Sequence, residues 1–356
     1  MMSIVHLVPR LPPPVCGVGD YSLRLGAQLE AGHGIRSHFM TADDVKRATG
    51  SGGGVDAAAQ NLEACLKAHH CAGQPMTLLL EYSGYGYAKR GAPVWLARAV
   101  KKLRLQVPSL RVVSMFHELF ATGAPTSSAF WTSLIQRWVA ATVAKSSDEV
   151  VTNRQPSAQW LSRHTRQRGP VHVRPVFSNF GEPQEVGPPD QRLPQLLAFG
   201  RGGGYSAQVW SDLASSMTAL KVGKLVMVSH PVPIPDAFRS RFSVEILGEL
   251  DAGAMSQVLS ASRFGLLDYN PDFLGKSGIL AAYAAHGVLP LFSLGAGDLP
   301  DGLRQSVHYL NMQGVQSDGA TADLCQEIQQ SLGSWYAPHA VKPTAEMYSR
   351  LIDRSV

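Results

Sequence analysis

Short apolar runs alternate along the chain with segments whose apolar residues recur at helical spacing. Residues 2–9 predict a first strand, and the apolar residues between Leu23 and Leu29 predict a helix that stops at Gly32 and Gly34. The same patterns predict strands at 77–80, 111–116 and 149–152, and helices at 93–105 and 131–144. Strands that alternate with helices indicate a parallel sheet with helices on both faces.

A stretch rich in proline and glycine, residues 175–194, interrupts this alternation and is typical of a linker. After it, apolar runs predict strands at 195–199, 224–229, 243–247, 264–269 and 288–292. We therefore expect two doubly wound, Rossmann-like α/β domains that face a central cleft. The predicted N-terminal domain is 1–180 and the C-terminal domain is 181–356, with the last helix packing back on the N-terminal domain.

The composition is that of a folded protein. Of 356 residues, 45% are apolar and 17% are charged, which argues against a disordered or coiled chain. The 32 Lys and Arg exceed the 27 Asp and Glu, and the net charge of +5 suits a polyanionic ligand such as a nucleotide diphosphate. The charge is also compatible with peripheral contact to anionic lipid, whereas the basic residues are too few and too dispersed to predict nucleic-acid binding.

The 4 cysteines show no C-x-x-C spacing and predict reduced thiols rather than a disulfide framework. The first residues resemble a strand rather than a signal peptide, and no apolar run reaches the roughly 18 residues that a membrane span needs. We expect a cytoplasmic protein.

A glycine-containing loop between the first strand and the first helix is the first candidate site. Gly17 and Gly19 would let the backbone approach a ligand closely, and the helix start offers N–H groups and a positive dipole end. The alternative is a tight turn in which Asp20 caps the helix. A dinucleotide fingerprint does not fit, because its third glycine would stand at Ser22.

His117 and Glu118 directly follow the predicted strand 111–116. A histidine at the end of a parallel strand can reach a cleft and exchange a proton near neutral pH. The alternative is a histidine packed inside the fold. Aromatic residues alternate with glycine after strand 77–80, and Tyr85 predicts either a stacking platform on the acceptor side or plain loop packing.

Lys276 and Ser277 open a predicted helix, where an ammonium, a hydroxyl and the helix dipole would all favour a diphosphate. The alternative is a surface lysine without a ligand. A P-loop does not fit, because the first glycine of that motif would stand at Asn270.

Several segments together resemble the retaining GT-B glycosyltransferases of the family 4-like group. They are the Pro-rich Gly-Val-Gly loop with Gly32, His33 and Gly34, and the segments 114–118, 176–179 and 197–201. The resemblance implies that Arg201 approaches the donor diphosphate and that His117 contacts the donor sugar. It also implies a nucleotide-sugar donor and an acceptor that is a glycan, a lipid-linked molecule or a small molecule.

The sequence departs from that family at its paired glutamates, which are replaced by Leu274 and Ala282. Contacts to the ribose or the sugar would then come from nearby residues such as Tyr269. Because there is no D-x-D triplet and no zinc-ligand spacing, we expect neither a metal nor a cofactor.

The prediction is a metal-independent hexosyltransferase that moves a sugar from a nucleotide-diphosphate sugar to an acceptor hydroxyl. The diphosphate would be held by Arg201, Lys276 and Ser277. Asp20 would meet the acceptor hydroxyl, and Glu118 would have an orienting rather than a reacting role. Tyr21 is assigned with Tyr85 to the acceptor. The alternatives are a sugar-nucleotide epimerase and a non-catalytic protein that binds sugar nucleotides or glycans.

Overall fold

The computed structural model describes residues 2–13, 16–47, 55–121, 128–200, 205–294, 297–318 and 320–353. The chain forms two compact units, one running to Pro175 and resuming at Val341, the other spanning Val176–Ala340. The boundary lies five residues before the one expected from the linker composition. The reason is local, because the Val176 N–H donates to the Gly275 carbonyl at 2.9 Å and ties this segment to the second unit.

Parallel strands and helices alternate through both units. The strands are β1 Met2–Val8, β2 Ile35–Thr41, β3 Thr77–Tyr82, β4 Arg111–Phe116, β5 Glu149–Thr152, β6 His172–Val173, β7 Leu193–Phe199, β8 Lys224–Val228, β9 Ser243–Ile246, β10 Ser262–Leu267, β11 Leu289–Phe292 and β12 Leu310–Asn311. The helices are α1 Gly17–His33, α2 Ala42–Arg47, α3 Val55–Ala68, α4 Gly84–Tyr87, α5 Val94–Gln106, α6 Ser128–Ser146, α7 Gln155–Ser162, α8 Ala207–Ala219, α9 Asp236–Arg239, α10 Ala252–Ala261, α11 Gly278–His286, α12 Met312–Asp318, α13 Ala322–Tyr336 and α14 Val341–Ile352.

In the sheet of the first unit, parallel strands lie in the order β2-β1-β3-β4-β5-β6. Alternate residues of β3 face opposite sides of the sheet. Leu78 and Leu80 join the apolar cluster formed with α3, α5 and α6. Glu81 lies near Tyr21 of α1 and Tyr348 of α14. The C-terminal helix α14 thus packs against α1 and belongs to the first unit.

In the sheet of the second unit, the strands are also parallel and lie in the order β12-β11-β10-β7-β8-β9. Both orders are doubly wound, and the direction of winding reverses between β1 and β3 in the first unit and between β7 and β10 in the second. Open sheets of this kind bind ligands beyond the carboxyl ends of the strands at such a reversal. The loops after β1, β3, β7 and β10 are therefore where ligand contacts are expected.

Within the described ranges, no helix is long and apolar enough to cross a lipid bilayer.

Candidate functional site

In the glycine loop after β1, Gly19 packs against the backbone of the same loop. Helix α1 begins at Gly17, and its N-cap is Cys16, whose Sγ accepts a hydrogen bond from the Gly19 N–H at 3.4 Å. The alternative in which Asp20 caps the helix is therefore wrong, because Cys16 occupies that position. A side chain at Gly19 would put its Cβ 2.3 Å from the Arg10 carbonyl oxygen. The close approach that requires glycine at this position is thus made by the protein itself, while Gly17 is exposed at the helix start.

Asp20 lies in the first turn of α1 and is partly buried. Burial raises the pKa of its carboxyl above the usual range, and the nearby Arg24 counteracts this only in part. A carboxylate with a raised pKa at a sheet reversal is suited to accept a proton from a hydroxyl.

His117 lies immediately after β4 and forms a buried pair with Glu81 of β3. The His117 Nε2 is 2.7 Å from Oε2 of Glu81, and the Glu81 side chain is fully buried. The backbone of His117 is held on both sides, since its N–H donates to the Tyr82 carbonyl at 2.9 Å and its carbonyl accepts from Asn153 Nδ2 at 3.2 Å. A buried carboxylate that accepts from Nε2 fixes both the tautomer and the orientation of the ring.

Glu81 was not among the predicted site residues, because the predicted strand ended at residue 80. The signal was nonetheless present, since Glu81 is an acidic residue inside the buried run of β3. Burying a carboxylate is costly unless it is paired, so its presence in a central strand calls for a specific contact. Here that contact is His117.

Tyr21, which was predicted to contact the acceptor, is only 2% exposed. Its ring meets the His117 ring edge-on at 5.1 Å. Burial, followed by the charge of Glu81, raises the pKa of the Tyr21 phenol. Tyr21 therefore packs beside the buried Glu81–His117 pair.

Glu118, which was predicted to orient, and Tyr85, which was predicted to contact the acceptor, are more accessible than Tyr21. Glu118 is partly buried, and its Oε2 accepts from the Ser83 hydroxyl at 3.3 Å. Tyr85 is 49% exposed and its ring packs closely on Gly91, where an added Cβ would lie 3.0 Å from the ring. This arrangement leaves part of the Tyr85 ring open for stacking.

In the second unit, the amino end of α11 lies beside the carboxyl end of β7. Ser277 is the N-cap of α11, is only 2% exposed, and accepts from the Leu280 N–H at 3.2 Å. The Lys276 ammonium lies 5.1 Å from the centre of the Phe273 ring. An added Cβ at Gly200, which follows β7, would lie 2.9 Å from Ile279 Cδ1, whereas one at Gly278 would meet no atom within 4 Å.

Helix α11 is anchored to the sheet by one tyrosine. The Tyr283 hydroxyl donates to the carbonyls of Leu266 at 2.9 Å and Leu197 at 3.2 Å, and so joins α11 to both strands at the reversal. Gly265 accommodates the ring, because a Cβ there would lie 2.4 Å from Tyr283 Cζ. The start of α11 is therefore rigidly placed at the point where the strand order predicts ligand binding.

The remaining predicted donor contacts are less defined. Arg201 lies outside the described residues. Tyr269 follows β10 and is partly buried, next to Asp268, whose carboxylate accepts from the Ser293 hydroxyl. Leu274 and Ala282, which replace the family's paired glutamates, are both buried.

Among the residues that the structure describes, no group of three or more His, Cys, Asp or Glu side chains is placed to hold a metal ion.

No protein-family model matches this sequence, and no curated protein is significantly similar to it. Solved structures are similar in fold. HepE from Anabaena, solved with UDP and glucose, has a TM-score of 0.59 and 13% identity, with 100% of each chain covered. UDP-GlcNAc 2-epimerase from Neisseria meningitidis, solved with UDP-GlcNAc, has a TM-score of 0.53 and 11% identity, with 99% of each chain covered. The chain shares the GT-B fold. At these identities the similarity extends to the fold alone.

Proposed function

We propose that this protein is an enzyme that acts on a nucleotide-diphosphate sugar and transfers the sugar to an acceptor hydroxyl. The observation that carries the proposal is the His117–Glu81 pair, a histidine at the carboxyl edge of a doubly wound sheet that is oriented by a fully buried carboxylate. Such a costly arrangement is typical of a functional site rather than of a packing contact. The fold, which is shared with structures that hold UDP, glucose or UDP-GlcNAc, supports the class of donor.

Sugar transfer expels a nucleoside diphosphate, so negative charge on the leaving group must be stabilised. The amino end of α11 supplies the positive end of a helix dipole, and the adjacent Lys276 supplies an ammonium. Ser277 already accepts from the Leu280 N–H, so its hydroxyl hydrogen is the group that would donate to a phosphate oxygen. Arg201 is proposed to contribute a second cation.

His117 is proposed to contact the donor sugar. Because the Glu81 carboxylate is placed to accept from Nε2, the Nδ1 atom is the one that would accept from a sugar hydroxyl. Asp20, with its raised pKa, is proposed to take the proton of the acceptor hydroxyl as the new glycosidic bond forms and the diphosphate departs. In this mechanism the charge on the leaving group is neutralised by cations of the protein, and we propose that no metal or cofactor is needed.

A sugar-nucleotide epimerase is the second candidate. The observation that favours it is the concentration of proton-transfer groups around β3 and β4, where Glu118 and its Ser83 contact lie next to the His117–Glu81 pair. An epimerase would move a proton on the sugar itself and would need no acceptor.

A panel of UDP-, GDP-, TDP- and ADP-sugars, each incubated with and without simple sugar acceptors, separates these functions. Released nucleoside diphosphate supports a transferase, since slow transfer to water is expected without the true acceptor. Conversion of one nucleotide sugar into another, with uptake of deuterium from D2O, would instead identify an epimerase. Binding without either reaction, across the panel and a range of acceptors, would contradict both and indicate a binding protein.

A further inference from the structure

A cavity of about 980 Å³ lies in the first unit at the amino ends of its strands, opposite the candidate site at their carboxyl ends. Arg111, Glu149 and His172 line it, and they are the first residues of β4, β5 and β6. His117 lies six residues along the chain from Arg111, which corresponds to about 20 Å at a rise of about 3.3 Å per residue. The cavity is therefore separate from the candidate site at the carboxyl ends of the strands.

The lining of this cavity is strongly basic. Of the lining residues that the structure describes, seven are Lys or Arg and three are Asp or Glu, an excess of four positive charges. The basic residues are Lys101, Arg104, Arg111, Lys145, Arg166, Arg168 and Arg350, and the acidic residues are Asp148, Glu149 and Asp353. The whole chain carries a net charge of +5, so the positive excess at this cavity is nearly as large as that of the entire chain.

Two of the carboxylates are engaged by basic residues of the cavity wall. Asp148 is bound by both terminal nitrogens of Arg104 and also accepts from the Val112 N–H at 2.8 Å. Glu149 is 3.3 Å from Arg111 Nη2 and 3.6 Å from His172 Nε2. These contacts neutralise most of the negative charge of Asp148 and Glu149 within the cavity wall.

Four other cations are exposed at the cavity. Within the part of the chain that the structure describes, no ion pair of this region involves Lys101, Lys145, Arg166 or Arg168. Like charges that lie close together repel one another, and a bound anion relieves that repulsion. Arginine forks match the geometry of phosphate oxygens particularly well.

The loop that carries the two arginines is anchored. Gln167, which stands between Arg166 and Arg168, accepts from the Val150 N–H at 2.8 Å through Oε1 and donates to the Pro170 carbonyl at 2.7 Å through Nε2. Its backbone N–H also donates to the Thr165 hydroxyl at 3.1 Å. The bond to Val150 ties this loop to β5 and the other two lie within the loop, so less ordering is needed when a ligand binds.

One wall of the cavity is apolar and open to solvent. Leu105 of α5 is 74% exposed and Trp138 of α6 is 47% exposed, and both line the cavity. A large aromatic ring beside unpaired cations is suited to a ligand with an apolar part next to its charge.

We propose that this cavity is a second binding site, for a ligand that carries a phosphate group attached to an apolar part. The cations Lys101, Lys145, Arg166 and Arg168 hold the phosphate, and Trp138 and Leu105 contact the apolar part. A soluble phosphorylated molecule and a phospholipid headgroup share this chemistry. The proposal does not depend on the activity assigned to the other edge of the sheet.

Phenyl phosphate and inorganic phosphate are the probes, titrated by calorimetry. We expect phenyl phosphate to bind the wild type, and to bind the double variant Arg166→Ala/Arg168→Ala at least about tenfold more weakly, because two charge-assisted contacts are lost. The Trp138→Ala variant should lose affinity for phenyl phosphate but not for inorganic phosphate. Arg163→Ala is the matched control, since Arg163 is exposed on the same segment but does not line the cavity.

The Lys276→Ala variant separates this site from the proposed diphosphate site. Binding that survives Lys276→Ala and is lost in Arg166→Ala/Arg168→Ala supports the proposal, provided that melting temperatures are unchanged. No binding to the wild type, or equal binding to the wild type and the double arginine variant, overturns it. Sedimentation with phosphatidylcholine vesicles that contain phosphatidic acid then identifies the source. Retention that requires Arg166 and Arg168 assigns a lipid headgroup, and its absence alongside phenyl phosphate binding assigns a soluble ligand.

Discussion

The Glu81→Gln substitution tests whether the buried carboxylate acts through His117. It keeps the shape of the side chain and removes the charge that faces His117 Nε2 at 2.7 Å. A hydrogen bond to a charged group contributes about 1.5–3 kcal/mol. If that energy orients the imidazole for reaction, turnover should fall about tenfold to a hundredfold at about 1.4 kcal/mol per factor of ten.

A double-mutant cycle distinguishes this positioning role from a general loss of structure. Release of nucleoside diphosphate is measured for the wild type, Glu81→Gln, His117→Ala and the double variant, with thermal melts of all four. Because Glu81 is proposed to act only through His117, the double variant should be no slower than His117→Ala alone. Glu63→Gln, which changes a carboxylate on α3 that pairs with Lys67, is the control. Losses that multiply, or an unaffected Glu81→Gln enzyme, would refute the reasoning.

Three further predictions concern the donor, the metal and pH. Lys276→Ala should weaken binding of the nucleoside diphosphate by about tenfold to a hundredfold, because a contact of about 1.5–3 kcal/mol is lost. Binding of the nucleoside alone should stay the same. Equal diphosphate affinity of the two proteins by calorimetry would contradict a diphosphate contact by Lys276. EDTA should leave activity in place, and a strict requirement for manganese or magnesium would count against the proposed charge stabilisation. Burial, with a smaller effect of His38, lowers the pKa of His6 to about 3. The stability that the neutral imidazole contributes is therefore present above pH 6.5 and is lost as the pH falls towards 3. Urea unfolding should show the wild type losing about 2 kcal/mol more than His6→Gln between pH 7.5 and 5, and parallel losses would contradict the pKa.

Much of the architecture follows from apolar patterns in the sequence. The buried strands β3, β4, β5 and β8 are short apolar runs, and residues 111–116 and 149–152 were predicted with the bounds that the structure has. The edge strand β2 was not predicted, because its sequence mixes polar and apolar residues and only Ile35 and Met40 are buried. An edge strand that is partly open to solvent has no continuous apolar signal.

The candidate site was less predictable because its contacts are tertiary. His117 was found from its place at the end of a strand, but the Glu81 contact depends on the pairing of β3 with β4, which no local pattern specifies. Likewise, Gly19 predicts close approach of some group, and only the folded loop shows that the group is the Arg10 carbonyl. Tyr21 was assigned to the acceptor from its position near the loop, whereas its burial is set by α14, more than 300 residues away along the chain.

The most direct test of the account is the rate at which free nucleoside diphosphate is released from a nucleotide sugar by the wild type and by His117→Ala. We expect release by the wild type and at least about a tenfold lower rate for His117→Ala, with the melting profile preserved, because His117 is proposed to contact the donor sugar rather than to support the core. Equal rates for two folded proteins, or no release from any nucleotide sugar with any acceptor, would contradict it.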